Sequence, residues 1–352
     1  MKRVIAMGIL AVLFMMILSA CGNTGATKQN QEAQNMPSNT IRTEAEEDNT
    51  VNAGMRNSYT VDTAISDVIQ DPVFGDYGRL IFPVDTGYYS GNTLGELQLT
   101  WYNNIDSEET VEIANYMREH AASGDVIFYD IYTKEEKSAD PAKEDTGLFF
   151  FKGNPGERFA ICNAGGAFAY VGAMQDSFPH ALELSRQGYN AFALIYRPGA
   201  QTACEDLARA IQYIFEHAGE LEVNTDGYSL WGGSAGARMA AWLGSYGTAA
   251  FGAEALPQPA AVIMQYTGLT EYSENDPATF VTVGENDGIA SWRTMKRRLD
   301  GMRALGIDTE FHSYPGLGHG FGLGTGTVAE GWINEAIAFW QKQIQRKENE
   351  DE

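Results

Sequence analysis

From position 125 onward, short apolar runs alternate with helical patterns and turn residues. Val126–Tyr132 and Gly147–Phe151 read as strands, and Arg158–Cys162 reads as the hairpin partner of the latter around Gly153-Asn154-Pro155-Gly156. Strand and helix then take turns. A helix over Phe178–Gln187 leads to a strand at Ala191–Tyr196, and a helix over Ala203–His217 leads to an apolar run ending in Trp231. After a small-residue helix come strands at Ala260–Gln265 and Thr279–Val283, a helix over Trp292–Leu305, a strand at Asp308–Tyr314 and an amphipathic closing helix over Val328–Gln345. Strands this continuously apolar need cover on both faces, so the pattern predicts an α/β fold: a mostly parallel central sheet with helices on both sides. Loops at the carboxyl ends of its strands are where a site is expected.

The segment before this pattern is different. Residues 59–124 carry aromatic clusters (Phe74, Tyr77, Phe82, Tyr88, Tyr89, Trp101, Tyr102) without strand alternation, and read as a folded but irregular N-terminal extension that could form a partial cap. One helix is well marked there. Asp106 and Glu109 have capping-box spacing, Val111, Ile113, Ala114, Tyr116 and Met117 supply an apolar face, and Gly124 comes after them. Residues 21–58, rich in Asn, Gln, Thr, Ala and Glu, lack aromatics up to residue 58 and read as a disordered tether. Residues 1–20 combine Lys2 and Arg3, an apolar run Val4–Leu18 and the small residues Ser19 and Ala20, the pattern of a secretory signal. The main domain spans 125–347 and ends in an acidic tail, 348–352.

Charge and cysteine content narrow the partners. Asp plus Glu outnumber Lys plus Arg by 47 to 24, a formal net charge of −23, which repels nucleic acid and favours a neutral or cationic partner. Cys162 and Cys204 could bridge only if the fold brings them together. No His, Cys or Asp cluster has metal-ligand spacing, and no G-x-G-x-x-G is present, so neither metal nor cofactor is expected.

The chemistry is concentrated in three loops. Gly232-Gly233-Ser234-Ala235-Gly236, between a strand and a helix, is a nucleophile-elbow pattern that would expose the Ser234 hydroxyl at the end of a helix dipole. Asp287 follows the strand at 279–283, and His319 follows the strand at 308–314. In this order the three can act as nucleophile, orienting acid and base. Glu285 and Asp276 are rival acids; His120, His180, His217 and His312 have poorer addresses, in helices or inside a strand. Backbone N–H groups of Gly165, Gly166 and Ala235 could form an oxyanion hole. Phe168, Tyr170, Trp231 and Tyr266 are the aromatic side chains that could line a substrate pocket.

From about Asp125 onward, the chain resembles α/β-hydrolases. Asn163-Ala164-Gly165-Gly166-Ala167, the elbow, Asp287 and His319 make it similar to bacterial carboxylesterases related to hormone-sensitive lipase and to acetyl-xylan and feruloyl esterases. The resemblance implies a serine esterase acting through an acyl-enzyme, with Ser234 as nucleophile, His319 as base and Asp287 as acid, and Gly165, Gly166 and Ala235 as oxyanion donors. Asn163 and Ala164 replace the His and the first Gly of the motif common in such relatives. Leu18-Ser19-Ala20-Cys21 likewise resembles a bacterial lipobox, which implies lipidation of Cys21 and anchoring on the extracytoplasmic face of the cell membrane. Only a short polar stretch separates Gln265 from Thr279, which disfavours a lipase lid. The expected substrate is therefore a carbohydrate or small-molecule ester of a short acyl group such as acetate. Two alternatives stay open: a non-catalytic binding lipoprotein of this fold, and a serine peptidase on the same scaffold.

Overall fold

Strands buried on both faces form the centre of the protein. The computed structural model describes residues 58–102 and 105–351; the signal at 1–20, Cys21 and the tether up to residue 57 lie outside them. Among the described residues, ten strands run in chain order: β1 (Tyr89–Ser90), β2 (Gln98–Leu99), β3 (Phe128–Tyr129), β4 (Gly147–Phe151), β5 (Arg158–Asn163), β6 (Asn190–Ile195), β7 (Asn224–Gly233), β8 (Ala261–Gln265), β9 (Thr279–Gly284) and β10 (Thr309–Tyr314). The helices are α1 (Ile65–Ile69), α2 (Ser107–Ser123), α3 (Lys134–Ala139), α4 (Ala173–Asp176), α5 (Phe178–Arg186), α6 (Ala200–Glu216), α7 (Ala218–Leu221), α8 (Ala235–Tyr246), α9 (Trp292–Ala304) and α10 (Trp332–Asp351). The main sheet has the order β10-β9-β8-β7-β5-β6-β4-β3, parallel from β10 through β6 and antiparallel at β4 and β3. This is the α/β-hydrolase fold.

Every residue of β4, β6, β8 and β9 is buried. Side chains of β7 divide between two helical layers. Trp231 packs on Trp332 and Trp340 of α10, while Gly232 lies against Gly236 and Ala237 of α8. Helices α6, α8 and α9 cover one face, and α5 and α10 the other.

Two sequence expectations fail on physical grounds. β4 and β5 do not form a hairpin, because β6 lies between them. Strands apolar at every position carry no alternation to specify a neighbour. The connecting turn is instead pinned over the start of β6: Gly153 N–H donates to Asn190 Oδ1 (3.0 Å), and Asn190 Nδ2 donates to the carbonyls of Asn154 (3.1 Å) and Glu157 (2.9 Å). The strand expected over 126–132 shrinks to two residues, because the chain beyond Tyr129 bonds to α6 rather than to a neighbouring strand. Tyr132 Oη donates to Asp206 (2.8 Å), and the Ile131 carbonyl accepts from Arg209 Nε (2.7 Å).

In the segment 59–124, α1, short 3₁₀ turns and the β1–β2 ribbon precede α2. The Asp106 carboxylate caps α2 by accepting from Glu108 and Glu109 N–H, and Gly124 closes it in the left-handed conformation. No described helix is long and apolar enough to cross a membrane.

Candidate active site

Strand register sets the site. Asn163 pairs with Gly232, Gly233 with Gln265, Gln265 with Thr282, and Tyr314 with Gly284, so the carboxyl ends of five strands are aligned along one edge. The chain direction of crossing reverses between β5 and β7, and the loops at such a switch point diverge to leave a crevice. Asn163, fully buried, ties these two strands together by donating from Nδ2 to the carbonyls of Trp231 (2.8 Å) and Ile161 (3.2 Å).

Ser234 stands at this point with φ 52° and ψ −112°. A non-glycine residue held there stores about 1–3 kcal/mol of strain, which the surroundings must over-determine. They do so through close backbone contact. A Cβ on Gly236 would lie 2.0 Å from the Asn163 carbonyl oxygen, and one on Gly232 would lie 2.3 Å from the Gly236 carbonyl carbon, so strand and helix can meet this closely only without side chains.

The three loop residues expected to act together are brought together. His319 Nε2 lies 3.1 Å from Ser234 Oγ, and His319 Nδ1 lies 2.8 Å from Asp287 Oδ2. The side chain of Asp287 is fully buried, and that of His319 is 7% exposed. Oδ1 of Asp287 accepts from the N–H groups of Ile289 and Ala290, each at 2.7 Å. With its other oxygen saturated, the carboxylate presents a fixed acceptor to the imidazole, which leaves Nε2 to accept from the serine. The rival acids are committed elsewhere: Asp276 forms a buried ion pair with Arg298, and Glu285 accepts from Ser313 Oγ at 2.9 Å. So are the other histidines. His120 contacts Asp125, His180 the Asp176 carbonyl, His217 the Tyr213 carbonyl, and His312 lies between Glu310 and Glu335.

The loop expected to supply the oxyanion hole differs from expectation at one donor. Gly165 N–H donates to the Asp176 carboxylate at 3.0 Å and cannot serve a substrate. Gly166 N–H has no acceptor among the described residues, and the Ala235 amide, first in α8, has none within its helix. The loop lies against Ser234, since a Cβ on Gly165 would be 2.9 Å from Ser234 Cβ. Gly166, Ala167 and Phe168 take φ values of 124°, 54° and 59° in succession. Hydrogen bonds from Gly199 N–H to the Phe168 carbonyl (2.7 Å) and from Tyr196 Oη to the Ala164 carbonyl (2.7 Å) hold this left-handed stretch.

Three of the four aromatic pocket residues serve other ends. Trp231 is buried under α10 and donates from Nε1 to Ser229 Oγ at 2.7 Å. Tyr266 is fully buried, donates from Oη to Asp176 and places its ring 4.8 Å from that of His319. Tyr170 stacks on Tyr88 at 4.7 Å and lines a separate cavity of about 170 Å³ with Leu80, Phe82 and Val84. Aromatic residues around a buried sheet are usually packing, and loop position alone could not separate these from liners. Phe168 alone of the four remains half-buried beside Gly166, stacked on Trp242 at 6.0 Å.

Cys162 and Cys204 are both free and buried. Sequence reasoning missed Asp176 and the part played by Tyr102. Asp176 is fully buried, and Tyr102 Oη donates to its carboxylate at 2.5 Å. The available signal was a lone charged residue inside the otherwise uncharged stretch Val171–Phe178.

Fold and geometry together place the chain among proteins of α/β-hydrolase architecture, and comparison with known proteins agrees. The BD-FAE family model matches residues 157–271, a stretch that includes the loop at 163–168 and Ser234. Among solved structures, the acetyl ester-xyloside bifunctional hydrolase from Caldicellulosiruptor lactoaceticus superposes with a TM-score of 0.54 at 18% identity, over 61% of this chain and 95% of that one. A thermophilic esterase, Est2, from the Planctomycetes species Thermogutta terrifontis gives 0.51 at 19% identity, over 62% and 91%. No curated protein matches the sequence.

Proposed function

We propose that the protein is a serine carboxylic-ester hydrolase working through an acyl-enzyme. The observation that carries this reading is the single imidazole of His319, which spans 3.1 Å to the Ser234 hydroxyl and 2.8 Å to the Asp287 carboxylate. As Ser234 Oγ attacks the ester carbonyl, its proton passes to His319 Nε2, and Asp287 stabilises the imidazolium. Negative charge on the former carbonyl oxygen is met by Gly166 and Ala235 N–H, which are already in place. The tetrahedral intermediate collapses, His319 returns the proton to the departing alkoxide, and the alcohol leaves. Water then attacks the acyl-enzyme by the same route in reverse order and releases the carboxylic acid.

The substrate is an ester of acetate or another short acyl group on a carbohydrate or small molecule. Support comes from the short polar stretch between Gln265 and Thr279 and from the acetyl-ester activity named for the Caldicellulosiruptor hydrolase. The lipobox-like Leu18-Ser19-Ala20-Cys21 supports a location on the outer face of the cell membrane, held by lipid on Cys21. Ser234→Ala is expected to lower turnover of a short-chain nitrophenyl ester by about 10⁴-fold or more. A variant with near-full rate would overturn the assignment.

A further inference from the structure

Asp176 is an unusual group to find beneath a nucleophile. Its carboxylate is fully buried, and no Lys or Arg among the described residues forms an ion pair with it. Burying an unpaired charge is unfavourable unless hydrogen bonds replace its hydration. Here three do: Gly165 N–H (3.0 Å) and Tyr102 Oη (2.5 Å) donate to Oδ2, and Tyr266 Oη donates to Oδ1. The carboxylate also presses on the elbow, since a Cβ on Gly233 would lie 2.5 Å from Oδ2.

Each donor leads to a different part of the site. Gly165 precedes Gly166 in the oxyanion loop. Tyr266 carries the ring that faces His319. Tyr102 comes from the segment before the hydrolase domain, and its ring is wedged against the residue after the imidazole: a Cβ on Gly320 would lie 2.5 Å from Tyr102 Cδ1. Burial first, and the adjoining carboxylate second, raise both phenols well above their usual range, so they remain donors at any working pH. Groups facing this cluster from other elements are His180 on α5, whose Nδ1 contacts the Asp176 carbonyl, Tyr170 and Tyr196 around the oxyanion loop, and Asp287 across His319.

We infer that Asp176, held by the phenols of Tyr102 and Tyr266, is a positioning residue for the hydrolysis proposed above: it fixes the Gly165–Gly166 turn against Ser234 and steadies the ring that packs on His319. The N-terminal extension thereby completes the site through one hydroxyl. The inference rests on the esterase reading, and its test separates the two.

The full chain is assayed with a short-chain nitrophenyl ester, and competent sites are counted with a fluorophosphonate, so that kcat is expressed per labelled serine. Asp176→Asn is expected to lower kcat about 100-fold, as loss of ordered oxyanion donors does, with KM changed less than threefold. Tyr102→Phe removes one donor, and kcat per labelled site falls about tenfold with KM changed less than threefold. A purely scaffolding role would lower the labelled fraction or the Tm and leave kcat per site unmoved, and that result overturns the inference. Should Asp176→Asn fail to fold, Tyr102→Phe decides alone: wild-type kcat per site refutes the role. A wild-type chain that neither hydrolyses the ester nor takes the label overturns the hydrolase reading itself.

Discussion

Replacing Asp287 by Asn changes one oxygen to an amide, and the structure determines how the new side chain must turn. In the native site Oδ2 accepts from His319 Nδ1 at 2.8 Å, while Oδ1 accepts from Ile289 and Ala290 N–H at 2.7 Å each. If the Asn carbonyl faced His319, its NH₂ would confront those two amides, leaving buried donors unsatisfied at about 1–3 kcal/mol apiece. The carbonyl therefore stays with the two amides, and the NH₂ faces the imidazole. Nδ1 must then accept, the ring proton moves to Nε2, and the nitrogen 3.1 Å from Ser234 Oγ becomes a donor that cannot take the serine proton. A wrong tautomer of this kind lowers kcat by about 10⁴-fold, or roughly 5 kcal/mol of barrier. Stability changes little, because both backbone amides keep their acceptor. The assay is steady-state hydrolysis of a short-chain nitrophenyl ester alongside thermal unfolding. An Asp287→Asn protein of native Tm with kcat within tenfold of wild type would refute the orienting role.

Two further predictions concern stability. Burial, with Asp106 and Glu112 nearby and Arg186 opposing, pushes the Glu109 carboxyl from its ordinary 4.5 up to about 7. The folded state thus holds this proton more tightly than the unfolded one, so its favourable contribution is complete below about pH 4.5 and is lost as pH rises through about 7. Since the α2 N-terminus partly offsets the penalty, Glu109→Gln is expected to stabilise by about 1–2 kcal/mol at pH 8, a few degrees in Tm, and hardly at all at pH 5. Equal effects at both values would contradict this. Asp276→Ala strands Arg298, whose side chain is 3% exposed, and is expected to cost about 3–5 kcal/mol, a Tm loss near 10 °C, with kcat per titrated site within threefold of wild type. A loss under 2 °C would show that the pair is not needed.

What could be read from the sequence was what local pattern encodes. The strand–turn–helix around Ser234 is set by Gly232 and Gly236 within five residues, and the order of Ser234, Asp287 and His319 comes from which strand each loop closes. Neighbour choice was not legible. β4 is apolar at all five positions, so nothing in it distinguishes β5 from β6 as a partner, and the decision rests on Asn190 reaching back to the turn. The fate of Gly165 N–H was hidden for a related reason. A paired glycine reads the same whether its amide is free or capped, and the cap, Asp176, arrives from eleven positions away with its second donor from Tyr102. Tyr266 and Trp231 look alike as aromatics at strand ends, yet one faces His319 and the other lies under α10.

The central claim is that Ser234 is a nucleophile made reactive by its neighbours, and covalent labelling tests it most directly. Incubation of the native protein with a fluorophosphonate, followed by peptide mass spectrometry, is predicted to give one adduct, on Ser234, at a rate that drops sharply in His319→Ala. No adduct, an adduct on another serine, or an undiminished rate without the imidazole would contradict the account.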